Sequence, residues 1–186
     1  MKNRLLAKLF RKDTRGVASI EFAFIATAVG VTLLNVADVA IFLYDKLEVE
    51  NATQMGAQAA YAACPWDHLP ATVNCSGLNT AMTAAVQSTS LGTAATIVSG
   101  YPTEAYYCVS GGALTSVGAV SAVNSGVVTA VPPPADCSAA GSSTTKPGDY
   151  LQIQTTYTFT PLFNGSLTVA SLLPGTITDT AWVRLK

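Results

Sequence analysis

The chain has 186 residues, room for one compact domain plus an appendage. Its formal net charge is −1, yet six of its ten basic residues (Lys2, Arg4, Lys8, Arg11, Lys12 and Arg15) precede Gly16 and leave an acidic body behind them. A nucleic-acid binder carries its cations on the folded part, where they meet phosphates, so nucleic acid is excluded as a partner.

The leader, residues 1–16, gives way to an apolar run, Phe22 to Tyr44, broken only by Asn35 and Asp38. At about 1.5 Å per residue this run crosses the roughly 30 Å hydrocarbon core with a little tilt. The basic cluster lies before it and none follows, so the positive-inside rule places the N-terminus in the cytoplasm and everything past residue 45 outside the inner membrane. A cleaved secretory signal with Ala26-Thr27-Ala28 as its site is the alternative. It would leave an apolar run of only about nine residues with Glu21 inside it, a poorer fit.

Ionisable groups in a span are costly and call for partners. Glu21 and Asp38 lie about 25 Å apart on a helix, one near each face of the core. With Asn35 and Asp45 they fall within about 120° of one another, a polar seam on an apolar rod. Separate interfacial solvation of each acid is the plainer reading; a seam that faces another protein helix is the sharper one. Beyond Tyr44 the chain stays rich in helix formers and free of proline, and Ala52, Gly56, Ala59, Ala60 and Ala63 allow close approach of another helix. One helix is expected from about Val17 to Ala62, near 70 Å by rise, ended by Cys64-Pro65.

Residues 64–186 read as a small α+β domain. A helix is expected from Leu78 to Ser88, with Ser76 as its N-cap. Strands are expected at Ala95–Ser99, Ala105–Val109, around Ala119–Val123 and Val127–Val131, and at Tyr150–Thr160 and Ile177–Leu185. The clearest is Tyr150–Thr160, where Leu151, Ile153, Thr155, Tyr157 and Phe159 alternate with polar positions. Residues 111–148, dominated by Gly, Ala, Ser, Thr, Val and Pro, read in part as loop. Trp182 is expected to pack, and a three- to five-stranded antiparallel sheet is expected on the outer part of the long helix. Cys64, Cys75, Cys108 and Cys137 all follow the apolar run, and an even count there indicates two disulfides in an oxidising compartment. Four cysteines allow three pairings; proximity in sequence favours Cys64–Cys75 and Cys108–Cys137. Free buried thiols are the alternative, and zinc has little to bind, since His68 is the single histidine and no C-x-x-C occurs.

No catalytic motif, metal site or cofactor site is legible: there is no G-x-S-x-G, no H-E-x-x-H and no P-loop. His68 reads as a surface loop residue. The N-x-S/T matches at Asn51, Asn74 and Asn164 carry no weight in so Ser- and Thr-rich a chain.

Arg15-Gly16-Val17-Ala18-Ser19-Ile20-Glu21-Phe22-Ala23 resembles the opening R-G-x-A-x-V-E-F-A of the TadE/TadG-like family, minor pilins (pseudopilins) of the tight-adherence, or Flp, pilus system. Asp38 and Tyr44 occupy the places of that family's second carboxylate and aromatic. Asn51-Ala52-Thr53-Gln54-Met55-Gly56-Ala57-Gln58-Ala59-Ala60 is similar to its N-A-A-R-x-G-A-R-A-A. Thr27 and Asn35 stand where the family carries proline and glycine, and both arginines of the later motif are glutamine here. The likeness covers residues 15–60 closely, and Tyr150–Leu162 with Ile177–Leu185 more loosely. It implies cleavage by a prepilin peptidase between Gly16 and Val17, and helix docking through Glu21 and Asp38, with the Glu21 carboxylate beside the N-terminal amine of an adjacent subunit.

The resemblance also implies the partners: other pilins, the peptidase, the inner-membrane assembly platform and membrane lipid. It further implies a structural subunit with no enzymatic activity, single-pass in the bacterial inner membrane, its domain periplasmic or carried into the extracellular pilus. The D-x-S-x-S motif of the larger TadG-type relatives is absent, which favours the TadE type. The alternative is a membrane-anchored extracytoplasmic binding domain unrelated to pili; a membrane-anchored enzyme would need a convergent site.

Overall fold

The computed structural model describes residues 15–163 and 169–186. The leader before Arg15, and Asn164 of the third N-x-S/T match, lie outside the described residues. Helix α1 runs unbroken from Arg15 to Ala63, as a proline-free stretch in which alanine is the commonest residue should. Pro65 stops it, because a proline ring disfavours helical backbone at the preceding Cys64. A 3-10 turn, Trp66–His68, and the single-turn helix α2, Ala71–Asn74, lead to α3, Leu78–Val86. The N-cap of α3 is Gly77 without a side-chain cap, not Ser76. The Cys75 carbonyl already receives the Leu78 N–H at 3.1 Å, a turn that sets the helix start one residue later.

Seven strands follow: β1 Thr96–Ile97, β2 Thr103–Ser110, β3 Ala113–Ala119, β4 Ser121–Asn124, β5 Val127–Ala130, β6 Gly148–Thr158 and β7 Thr176–Arg184. The fold is α+β, with a five-stranded antiparallel sheet of β1, β6, β2, β3 and β7 and a separate β4–β5 hairpin. Strand β6 is the hub. It carries β7 along one edge, from Tyr150↔Arg184 to Thr158↔Thr176, and β1 and β2 in succession along the other.

Strand β3 falls in the stretch read from sequence as partly loop. Its side chains are all exposed or half-buried, so no apolar alternation marks it. The turn before it does. Gly111 and Gly112, at φ 59° and 83°, form the two-residue link of a primed hairpin, which needs positive φ at both positions.

Contacts divide the chain into two units, one of α1 up to Phe42 with Pro161–Leu173, the other of Leu43–Thr160 with Pro174–Lys186. In the larger unit, Val49, Ala52, Thr53, Gly56, Ala57 and Ala60 are buried along α1 at helical spacing. They join Leu78, Met82 and Val86 of α3 and Leu151 and Ile153 of β6 in or beside one core, and each large apolar side chain fully buried there contributes about 1.5–3 kcal/mol. The small residues that sequence assigned to a neighbouring helix therefore receive this chain's own α3 and β6. The Thr53 hydroxyl donates to the Val49 carbonyl at 2.7 Å and pairs with the Thr155 hydroxyl of β6, so both buried hydroxyls are satisfied.

Disulfides join Cys64 to Cys75 and Cys108 to Cys137, with Cα–Cα distances of 5.8 and 5.9 Å. Trp182 packs edge-on against Tyr107, with ring centroids 5.1 Å apart, yet stays 41% exposed on the outer face of the sheet and outside the core.

Candidate functional site

The half of α1 nearer its N-terminus is largely apolar and carries its large side chains outward; Phe24 is 74% exposed, and Phe22, Ile25, Val29 and Leu33 are exposed with it. A helix of this kind seeks lipid or another helix. From Ala18 onward it is long and apolar enough to cross a membrane, consistent with a single-pass anchor. Its hydroxyls are turned back into the helix, Thr27 donating to the Ala23 carbonyl at 2.7 Å and Thr32 to that of Ala28 at 2.9 Å. That arrangement removes the cost of a bare donor in hydrocarbon.

The four seam residues separate into two kinds. Glu21 is exposed. Asn35, Asp38 and Asp45 are instead engaged by this chain. Asp38 is fully buried, and its Oδ1 accepts the backbone N–H groups of Leu162 at 2.9 Å and Phe163 at 3.3 Å. Its Oδ2 is buried and has no hydrogen-bond partner among the described residues. Asn35 donates to the Val31 carbonyl at 2.8 Å and accepts the Val169 N–H at 2.5 Å. Asp45 is buried beside Tyr157. Gly16 and Val17 lie in the first turn of α1.

Residues 16–58 match the family model described as TadE-like protein. This segment is TadE-like. The matched residues cover the exposed apolar half of α1 and most of the half that seats the domain, about a quarter of the chain. The TadE-like family is a structural, pilus-associated one, and the match supports a protein associated with the Tad pilus and with its other components. No curated protein and no solved structure matches the chain.

The larger unit holds one feature that sequence did not single out. A cleft of about 650 Å³ is lined by Trp66, Tyr106, Pro133, Lys146, Asp149 and Arg184, among others. Asp149, on β6, is buried, and its Oδ1 has no hydrogen-bond partner among the described residues. Beside it Glu104 of β2 accepts the Ala71 and Thr72 N–H groups, each at 2.7 Å, and the Thr72 hydroxyl at 2.5 Å. Burial first, then the Glu104 charge and a hydrogen bond to it, push Asp149 up to about 7, against a partial opposing effect of Lys186. Among the described residues, no group of three or more His, Cys, Asp or Glu could hold a metal ion.

A folded-state value raised above the unfolded one means that the native state holds the extra proton. The resulting stability is fully present below about pH 4 and is lost as pH rises through about 7. Such a displacement is equivalent to roughly 4 kcal/mol unscreened, and solvent in the adjoining cleft reduces it to about 2. Asp149→Asn, which keeps the donor and removes the charge, is expected to make urea stability flat from pH 5 to 8 and to exceed the parent at pH 8 by about 2 kcal/mol. A parent protein whose stability does not fall between pH 5 and 8 would show that the pair shares no proton.

Proposed function

We propose that this protein is a TadE-type minor pilin, a structural subunit for assembly of the tight-adherence pilus that works by lateral packing of α1 against other pilins. The observation that carries the reading is the TadE-like match over residues 16–58, which takes in the whole half of α1 whose apolar side chains stand outward around an exposed Glu21. In this reading residues 1–16 are a cytoplasmic leader removed by the prepilin peptidase, residues 17–63 the assembly helix and residues 64–186 the periplasmic domain. Cleavage after Gly16 frees the Val17 amine. In a low-dielectric region a carboxylate is tolerated best beside a positive group, so Glu21 of one subunit receives the Val17 amine of the next. Asp38 contributes from within the subunit by holding the Pro161–Phe163 backbone on the helix. The assembly platform of the inner membrane then gathers the subunits.

N-terminal sequencing of the membrane-extracted protein, from cells that carry the peptidase, is expected to begin at Val17. Any other start, or an intact Met1, would leave no free amine at Val17 and overturn the docking on which this reading depends.

A further inference from the structure

The sequence from Pro161 to Gly175 contains no charged residue and four leucines. Its described flanks, Pro161–Phe163 and Val169–Leu173, belong to the same unit as α1 up to Phe42. Leu162 is 66% exposed and Leu172 81% exposed. Three of the backbone N–H groups in these flanks, those of Leu162, Phe163 and Val169, are received by Asp38 Oδ1 and Asn35 Oδ1. Those acceptors stand inside the apolar run, about 9 and 14 Å before its end at Tyr44.

Irregular backbone at membrane depth is tolerated only where protein satisfies its polar groups, and a carboxylate at such depth is tolerated only where it finds donors. The two requirements answer each other here. Asn35 and Asp38 interrupt an otherwise apolar span, and loop N–H groups occupy both.

We propose that Pro161–Phe163 and Val169–Leu173 are a second membrane contact, set on α1 by Asn35 and Asp38, with the leucines in the acyl chains of the leaflet nearer Tyr44. This rests on the reading of α1 as a membrane span. The occupant is lipid: the flanks share the depth of the stretch from Leu33 to Leu43, whose exposed side chains are all apolar, they are uncharged, and three of their N–H groups are bonded to the helix. The result is a wider, two-element footprint in one leaflet, which fixes the rotation of α1 about its own axis and hence the direction in which Glu21 points.

The test uses the full chain with its four native cysteines in their disulfides. Leu172→Cys, Leu33→Cys and Val123→Cys are made singly, labelled with an environment-sensitive nitrobenzoxadiazole dye, and reconstituted in phosphatidylethanolamine–phosphatidylglycerol vesicles with or without doxyl-labelled acyl chains. Quenching at 172 is expected to approach that at 33 and to exceed that at 123 severalfold. Adding Asp38→Ala is expected to lower quenching at 172 and leave that at 33 unchanged. Quenching at 33 with none at 172 above the level at 123 overturns this inference and leaves the span reading intact. A blue-shifted but unquenched dye at 172 means that protein covers it, which also overturns the inference. Absence of quenching at 33 removes the span reading, and this inference with it.

Discussion

Glu21→Gln is expected to abolish pilus assembly while leaving the amount of membrane-inserted protein unchanged. The substitution keeps the size and helix propensity of the side chain, so α1 and the domain beyond it should fold as before. What it removes is the charge. A neighbouring subunit's Val17 amine would then be buried without its counter-ion, and breaking a buried pair on one side costs about 3–5 kcal/mol. At 1.4 kcal/mol per tenfold, that weakens each docking step by roughly 100-fold or more. Pilus counts by electron microscopy, set beside an immunoblot of the membrane fraction, separate loss of assembly from loss of protein. Normal piliation in the mutant would show that Glu21 has no part in docking.

Gly56 is the position where a single side chain should do most harm to the fold. A Cβ there would lie 2.6 Å from Ile153 Cδ1 and 2.9 Å from Val86 Cγ2. For Ala two effects oppose each other. Helix propensity gains about 1 kcal/mol over glycine, and the clash is with side-chain ends, of which that of Ile153 can move while the β-branched Val86 is stiffer. Gly56→Ala should therefore stay within about 1 kcal/mol of the parent. Leucine adds three more carbons to a buried seam between α1, α3 and β6, and overpacking there should cost about 3 kcal/mol. For a unit of this size that lowers Tm by on the order of 10 °C. Thermal melts followed by near-ultraviolet circular dichroism in detergent would measure both variants. A Gly56→Leu protein as stable as Gly56→Ala would mean that this part of α1 is not seated on β6 and α3.

Where the fold was legible, one physical signal dominated. Helix α1 is a long proline-free run with a definite stop at Cys64-Pro65, and β6 alternates Leu151, Ile153 and Thr155 inward against polar neighbours. The pairs joined by disulfides are the ones nearest in sequence, Cys64 with Cys75 and Cys108 with Cys137. Strand β3 escaped notice because it buries little, and period-two patterning reports burial more than strand geometry. The Gly111-Gly112 pair was the better guide to it.

At the candidate site, Glu21 and Asp38 stood out as charges in an apolar run, but their surroundings did not follow from that. Helical periodicity put both on one seam with Asn35 and Asp45. It could not reveal that Asp38 and Asn35 are met by backbone from beyond residue 160, because such long-range contacts leave no local trace. The uncharged, leucine-rich stretch from Pro161 to Gly175 was the available hint. The buried Asp149 beside Glu104 was hidden for the same reason: β2 and β6 bring together carboxyls 45 residues apart.

Helix α1 is expected to meet other pilins near Glu21, and a photoreactive benzoylphenylalanine at Phe24, three residues on and 74% exposed, tests that contact in the membrane. Irradiation of cells that assemble the pilus should yield an adduct to another pilin, identified by mass spectrometry, and Glu21→Gln should abolish that adduct. Adducts to lipid alone, equal in the parent and in the Glu21→Gln protein, would contradict the account and leave α1 as a simple anchor.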